Sequence, residues 1–356
     1  MKRNLFSRND ASRRDLLKAL LVAGAGGAMP FRTSLAQAPA GQAKPGPIDV
    51  HHHLLPPAYA KAMEKEMAAT GFNARPWSPQ LSIEAMDKHG VATAMLSPIQ
   101  RVVMDSMADR SERARNLVRQ NNDFGAQVVR DHPTRFGLFA ALPLPDTEGS
   151  LREIAYAYDT LKVDGIGLWT SYLDKWPGDD AFAPVFEELN RRKAVVFFHP
   201  STATCCRNLI PGLQISGMIE YDLDTARAAE SLLVGGTPAR FPDVRFIFSH
   251  SGGALPTLAA RIVDDYPKNR AKLLPNGVEY EIKRFYYELA HASKVPALDA
   301  LKDIAPVSQI LFGSDAPIRN YELTMEGLEV YPGFSPADWQ AIYRGNAERL
   351  FPRLKV

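Results

Sequence analysis

From Ile48 to the C-terminus, short apolar runs alternate about eight times with segments of helical period. That alternation restricts the chain to folds built on a parallel sheet. The runs at 48–51, 93–96, 135–141, 165–170, 194–198, 244–249, 285–289 and 309–312 predict strands. The segments at 82–89, 111–130, 150–161, 180–192, 223–234, 254–263, 296–301 and 336–350 predict helices. The strands are apolar nearly throughout, as when both faces of a sheet are covered. An eightfold β/α repeat fits a (β/α)8 TIM barrel. The rival is a doubly wound open sheet, which usually carries a Gly-rich phosphate loop after its first strand. Here the first strand ends in histidines instead.

Asp49-Val50-His51-His52-His53 closes that first strand. Alternate side chains of an extended chain point the same way, so His51 and His53 can aim at one point with His52 on the other face. Two imidazoles so placed make half of a tetrahedral zinc site. Other strands end comparably. The fifth runs into His199-Pro200, the sixth into His250-Ser251-Gly252-Gly253, and the eighth into Asp315-Ala316-Pro317. In a barrel, these C-terminal strand ends form the active-site face. His51, His53, His199 and Asp315 are a donor set that one divalent ion accepts with a position left open; zinc is the first expectation and manganese the second. His250 reads as an acid–base group rather than a ligand. Gly252-Gly253 is expected to open a helix whose free N–H groups offer an anion site.

Several residues have plainer readings. His52 is expected to face away from the metal, and Asp49 to cap or orient the loop. His89 and His132 read as structural. His291 follows strand seven and is either structural or part of the pocket lining. Trp169 is either pocket wall or core, 285–287 reads as barrel packing, and Asn346 belongs to the closing helix.

The net charge is +2, with no basic stripe interleaved with aromatics, so nucleic acid is not an expected partner. The two cysteines, Cys205 and Cys206, are adjacent and exclude a long-range disulfide within the chain; they read as small buried side chains near a loop. The N-terminus carries Arg13-Arg14 ahead of a short apolar run at 19–29, then small residues at 34–36 or 36–38 suited to cleavage. This predicts a twin-arginine-type signal peptide over 1–38, a linker over 39–47 and a barrel over 48–356. The run is too short and glycine-rich for a transmembrane span, so no stable span is expected after cleavage. The expected location is periplasmic or secreted, with the twin-arginine export machinery as the precursor's partner.

The motifs at 49–57, Phe197-Phe198-His199-Pro200, Ser249-His250-Ser251-Gly252-Gly253 and Leu311-Phe312-Gly313-Ser314-Asp315 resemble those of the amidohydrolase superfamily. More narrowly, they resemble its aminocarboxymuconate-semialdehyde decarboxylase-related branch, and most of all 6-methylsalicylate decarboxylase-type members. The resemblance spans roughly 48–352. It implies a metal-dependent barrel with His51, His53 and His199 as metal ligands, His250 as the catalytic histidine and Asp315 as the last-strand aspartate. It also implies a single ion; strand four, 165–170, has no lysine to carbamylate and bridge two. Arg261 matches an arginine that reaches a neighbouring subunit's substrate carboxylate, which implies a homodimer; its plainer reading is a solvated helix arginine. Arg75 and Arg101 are both candidates for a second substrate arginine.

The expected activity is therefore non-oxidative decarboxylation of a small aromatic or unsaturated carboxylic acid, with Asp315 or His250 delivering the proton and Arg261, Trp169 and His291 contacting substrate. The alternative is hydrolysis of a lactone, amide or ester at the same site. A binding protein would have no use for the complete acid–base set.

Overall fold

A computed structural model describes residues 46–62, 64, 77–98, 112–201, 203–206, 209–210 and 218–355. The expected signal segment, most of the linker, Arg75 and Arg101 lie outside the described residues. Eight parallel strands follow one another in sheet order: β1 (Ile48–Leu54), β2 (Thr93–Pro98), β3 (Phe136–Ala141), β4 (Gly165–Trp169), β5 (Val195–His199), β6 (Arg245–Phe248), β7 (Tyr286–Glu288) and β8 (Ile310–Leu311). Backbone bonds from Val50 N to Phe312 O (2.9 Å), Asp315 N to His51 O (2.8 Å) and His53 N to Ala316 O (2.7 Å) join the last strand segment to the first. The barrel expected from the β/α alternation is therefore the fold, and among the described residues no helix is long and apolar enough to cross a membrane.

Helices at Pro79–Lys88, Glu112–Asp131, Thr147–Tyr156, Ala183–Arg191, Glu220–Gly235, Leu255–Asp264 and Val295–Ile304 follow successive strands. The helix expected from residue 150 begins at Thr147, because Asp146 caps it by accepting the Gly149 N–H at 3.0 Å. Two further helices, Val278–Arg284 and Tyr321–Glu329, fall where no helix was predicted. The closing segment starts with a Ser335/Asp338 capping box and ends in Asn346–Leu350. Asn346 donates to Val307 O (2.7 Å) and Ile310 O (2.6 Å), pinning that helix to the two-residue β8 and standing away from the site.

Strand alternation sorts the core into two populations. Leu96, Leu138, Ala140, Val196, Phe198, Phe246 and Phe248 face the helices. Val50, Met95, Phe139, Val195, Phe197, Ile247 and Leu311 fill the barrel, joined by Phe351 and Leu354 from the C-terminus. Each fully buried ring contributes about 1.5–3 kcal/mol. Phe197 stacks on Phe139 at 5.2 Å and meets the ring of His51 at 5.0 Å, so the top of this core is the floor of the site.

Cys205 is exposed and Cys206 partly so, which corrects the expectation of buried side chains; both are free thiols.

Candidate metal centre and active site

β1 was expected to end at His51. It continues through all three histidines to Leu54, with a register irregularity between Asp49 and His52. Ile48 and Val50 face the barrel interior. Strict alternation from there would put His52 inside and His51 outside. The irregularity slips the phase by one residue, as a bulge does, and turns His51 and His53 inward. His52 faces out, bonded to Tyr321 OH (3.1 Å) and Ser82 Oγ (2.9 Å), as expected of a residue off the metal. Asp49 orients the strand end. It accepts from His51 N and Ser314 N at 3.0 Å each, from Ser314 Oγ at 2.6 Å and from Tyr321 OH at 2.8 Å.

Three imidazoles converge. His51 Nε2 and His53 Nε2 lie 3.1 Å apart, and Asp315 Oδ1 is 3.2 Å from the first and 2.8 Å from the second. The His199 ring centroid is 5.1 Å from that of His51 and 4.8 Å from that of His53. One ligand atom from each of His51, His53, His199 and Asp315 lies within 4.8 Å of the others. A tetrahedral ion with bonds of about 2.0–2.1 Å has ligand atoms about 3.3 Å apart, close to the spacing of the strand-one pair.

The outer nitrogens fix the tautomers. His51 Nδ1 donates to Glu288 Oε1 at 2.8 Å, His53 Nδ1 to Ser97 O at 3.3 Å and His199 Nδ1 to Pro200 O at 3.0 Å. Each imidazole, once neutral, therefore turns an Nε2 lone pair inward, the state in which histidine binds metal and is oriented by an oxygen behind it. Asp315 Oδ1 is buried with no hydrogen-bond partner among the described residues. Nitrogens and a carboxylate oxygen meeting this closely require a positive charge between them; a proton on His51 supplies it without a metal, and a divalent ion fits the same place.

The electrostatics agree. Burial, reinforced by the neighbouring histidines, holds His199 well below the usual histidine range. Burial also lowers His53. Burial works against charge on His51 as well, but the Glu288 and Asp315 carboxylates beside it prevail and raise it to about 10 without a metal. Burial works against the Asp315 carboxylate, yet the charge on His51 and the hydrogen bond from His291 keep it well below the usual carboxylate range.

His250 stands at the end of β6. Its Nε2 is buried without a hydrogen-bond partner, 4.0 Å from Asp315 Oδ2. Burial, helped by His51, pushes it down to about 3. The expected anion site beside it is not there. Gly252 N donates to Ser249 O and Gly253 N to His250 O, both at 2.9 Å, and the next helix begins only at Leu255. The Gly-Gly pair serves backbone geometry instead. Gly253 has φ +59°, and a Cβ there would lie 2.4 Å from Asp222 O. His250, Ser251, His291 and Asp315 all hold left-handed φ values, 54°, 58°, 59° and 65°, despite carrying side chains. Such conformations cost about 1–3 kcal/mol each and gather where side chains must be aimed.

The other expected site residues divide. His291 reaches the site, with Nε2 2.7 Å from Asp315 Oδ2. Trp169 is buried at the end of β4 and meets His199 edge-on at 5.3 Å, beside the metal ligands. Arg261 is not part of the chain's own site; its side chain is 82% exposed and 3.5 Å from Asp265 on the same helix. His89 pairs with Glu322 at 3.1 Å, away from the donor set. Sequence reasoning missed Glu288, which is wholly buried at the end of β7 and holds His51. Its signal was present as an acidic side chain inside an apolar strand. Gly313 makes room for it, since a Cβ there would sit 2.0 Å from Glu288 Oε2.

A closed barrel carrying an HxH pair on strand one, a histidine on strand five and an aspartate after strand eight has the arrangement of an amidohydrolase-type enzyme with a candidate metal site. The chain belongs to the amidohydrolase family, whose profile matches residues 48–353. Among curated relatives, a decarboxylase of Penicillium terrestre is 37% identical over 87% of this chain and 96% of its own length. The 6-methylsalicylic acid decarboxylase of Penicillium expansum is 34% identical over 86% of this chain and 97% of its own. These relatives match the branch expected from the motifs. Among solved structures, a dihydroxybenzoic acid decarboxylase from Polaromonas sp., with bound manganese, aligns with a TM-score of 0.69. It is 22% identical and covers 87% of this chain and 98% of its own, a likeness of fold.

Proposed function

We propose that this protein is a carboxy-lyase: a metal-dependent, non-oxidative decarboxylase of a small aromatic carboxylic acid of the hydroxybenzoate kind. The observation that carries this reading is the match, along nearly the whole barrel, to curated decarboxylases, one of them acting on 6-methylsalicylic acid. The converged donor set supports it. Hydrolysis of a lactone, amide or ester, the alternative the same donor set would serve, is not favoured.

His51, His53, His199 and Asp315 would hold one divalent ion, zinc by donor chemistry, with manganese the alternative. Bound there, the ion supplies Lewis acidity that stabilises negative charge on substrate oxygens as carbon dioxide leaves. The chain's own residues must deliver one proton to the carbon that loses its carboxylate. His250 and Asp315 border the same buried space and are the groups placed to pass it on, with the proton drawn from solvent because both are held unprotonated without a metal. Trp169, edge-on to His199, would give that space an aromatic wall suited to a flat ring above the Phe197 floor.

Arg261 points to assembly as a homodimer, in which it clamps the carboxylate of a substrate bound to the neighbouring copy. Its exposure on the helix after β6 is what such a role needs. Arg261→Ala should then raise KM with metal content unchanged; a fully active monomer would return the residue to solvent. The precursor would be exported by the twin-arginine route, lose residues 1–38, and place the 48–356 barrel behind a 39–47 linker in the periplasm or outside the cell.

The deciding experiment is a screen of metal-loaded mature protein against hydroxybenzoates, lactones and esters with carbon dioxide detection. Carbon dioxide release dependent on the ion is expected. Acid release from lactones or esters, with no carbon dioxide from any aromatic acid, would replace decarboxylation by hydrolysis.

A further inference from the structure

We propose that Arg319 and His291 are positioning residues that hold Asp315 in the orientation the metal centre needs, with Arg319 acting by fixing the tautomer of His291. The inference rests on the reading of Asp315 as a metal ligand.

Arg319 lies in the turn after Asp315, and its backbone N–H donates to Asp315 O at 2.9 Å. Its Nη1 lies 3.2 Å from His291 Nδ1. A guanidinium has donors and no acceptor, so Nδ1 must be the acceptor. The ring proton is thereby placed on Nε2. That nitrogen lies 2.7 Å from Asp315 Oδ2 and donates to it. The three groups form one directed chain, Arg319 to His291 to Asp315.

The chain divides the labour of the carboxylate. Oδ2 is occupied by His291, and Oδ1 is left facing His51 Nε2 and His53 Nε2 at 3.2 and 2.8 Å. Rotation of the carboxylate would exchange those roles and break the hydrogen bond. Both loops are built for this aim, since His291 and Asp315 each hold a left-handed φ, 59° and 65°. Without Arg319, the proton is free to move to Nδ1. The Nε2 lone pair would then face Oδ2, a repulsive contact that turns the carboxylate away.

The same tautomer bears on stoichiometry. His250, His291 and Asp315 form a second trio whose donor atoms lie within 4.8 Å. An imidazole with its proton on Nε2 cannot ligate through Nε2, so His291 stays a donor to the carboxylate rather than a ligand of a further ion.

Two measurements test this. The first is the ring tautomer of His291 by long-range proton–nitrogen spectra of the full mature chain, assigned by loss of the signal in His291→Phe. A proton on Nε2 is expected; a proton on Nδ1 overturns the proposal. The second is the zinc dissociation constant by chelator competition for Arg319→Met, His291→Phe and the double variant. Loss of an oxygen-orienting partner weakens metal binding by about 10–100-fold. Each single variant should fall in that range. The double variant should match His291→Phe alone, because the arginine acts through the histidine. Arg319→Lys, which keeps a charged donor, should bind zinc more tightly than Arg319→Met. Additive losses, or a raised KM with unchanged zinc affinity in Arg319→Met, would instead make the arginine an independent or substrate-binding group. A wild-type chain that holds no ion would overturn the metal reading alone, since the tautomer is read on the metal-free protein as well.

Discussion

Glu288 Oε1 accepts two hydrogen bonds, from His51 Nδ1 at 2.8 Å and from the backbone N–H of His250 at 2.7 Å. One buried oxygen thus ties the first histidine of the candidate metal site to the strand end that presents His250. The other oxygen accepts from Ala290 N at 2.6 Å. Burial alone would raise this carboxyl, but the charge on His51 and its hydrogen bond lower it instead.

Glu288→Gln should therefore leave the barrel folded and the four ligands present, yet weaken zinc binding by about 10–100-fold, because an amide nitrogen cannot accept from Ala290 and the side chain must turn. Chelator competition with circular dichroism as the folding control measures this. Wild-type affinity in the Gln variant would make Glu288 a packing residue.

The two faces of β1 should separate cleanly in mutants. The mature protein should hold about one divalent ion, and His51→Ala, His199→Ala or Asp315→Ala should lose most of it. His52→Ala should keep the ion and lose stability instead, by about 1–3 kcal/mol, because Tyr321 OH and Ser82 Oγ lose a buried partner. Elemental analysis and denaturant titration supply the two readouts. Two ions per wild-type chain, or full metal in His199→Ala, would remove this site from consideration.

His250→Asn should keep the ion and the fold while lowering turnover by about 10²-fold or more, the scale of general acid–base catalysis. The unpartnered Nε2 beside Asp315 motivates this. Metal loss with residual chemistry unchanged would show that His250 is a ligand.

The proposed twin-arginine export would depend on Arg13-Arg14. Replacing both with lysine should strand the precursor in the cytoplasm, as cell fractionation would show. Normal delivery of the double-lysine protein to the periplasm would mean that another route operates.

Much of this was legible along the chain. Parallel strands buried on both faces must be apolar, and the covering helices must be amphipathic, so the eight units read directly from hydrophobic period. The convergence of the candidate site residues read nearly as well, because His199, His250 and Asp315 each end or follow an apolar strand at the face where barrels place their sites. What failed were the local geometries. The Gly252-Gly253 donors were expected to be free, and tight-turn bonds to Ser249 and His250 use them.

The sequence by itself determined the barrel and which side chains converge as candidate metal donors, since period and residue type are properties of the chain read in one dimension. Tertiary structure alone decided which face of β1 enters the barrel, because a one-residue slip in pairing with β2 reverses every side chain beyond it. It alone brought Glu288 from β7 under His51, 237 residues earlier, and stacked Arg319, His291 and Asp315 into one directed chain. Those contacts join strand ends remote in sequence, and no local spacing encodes the distance between two loops until the barrel closes.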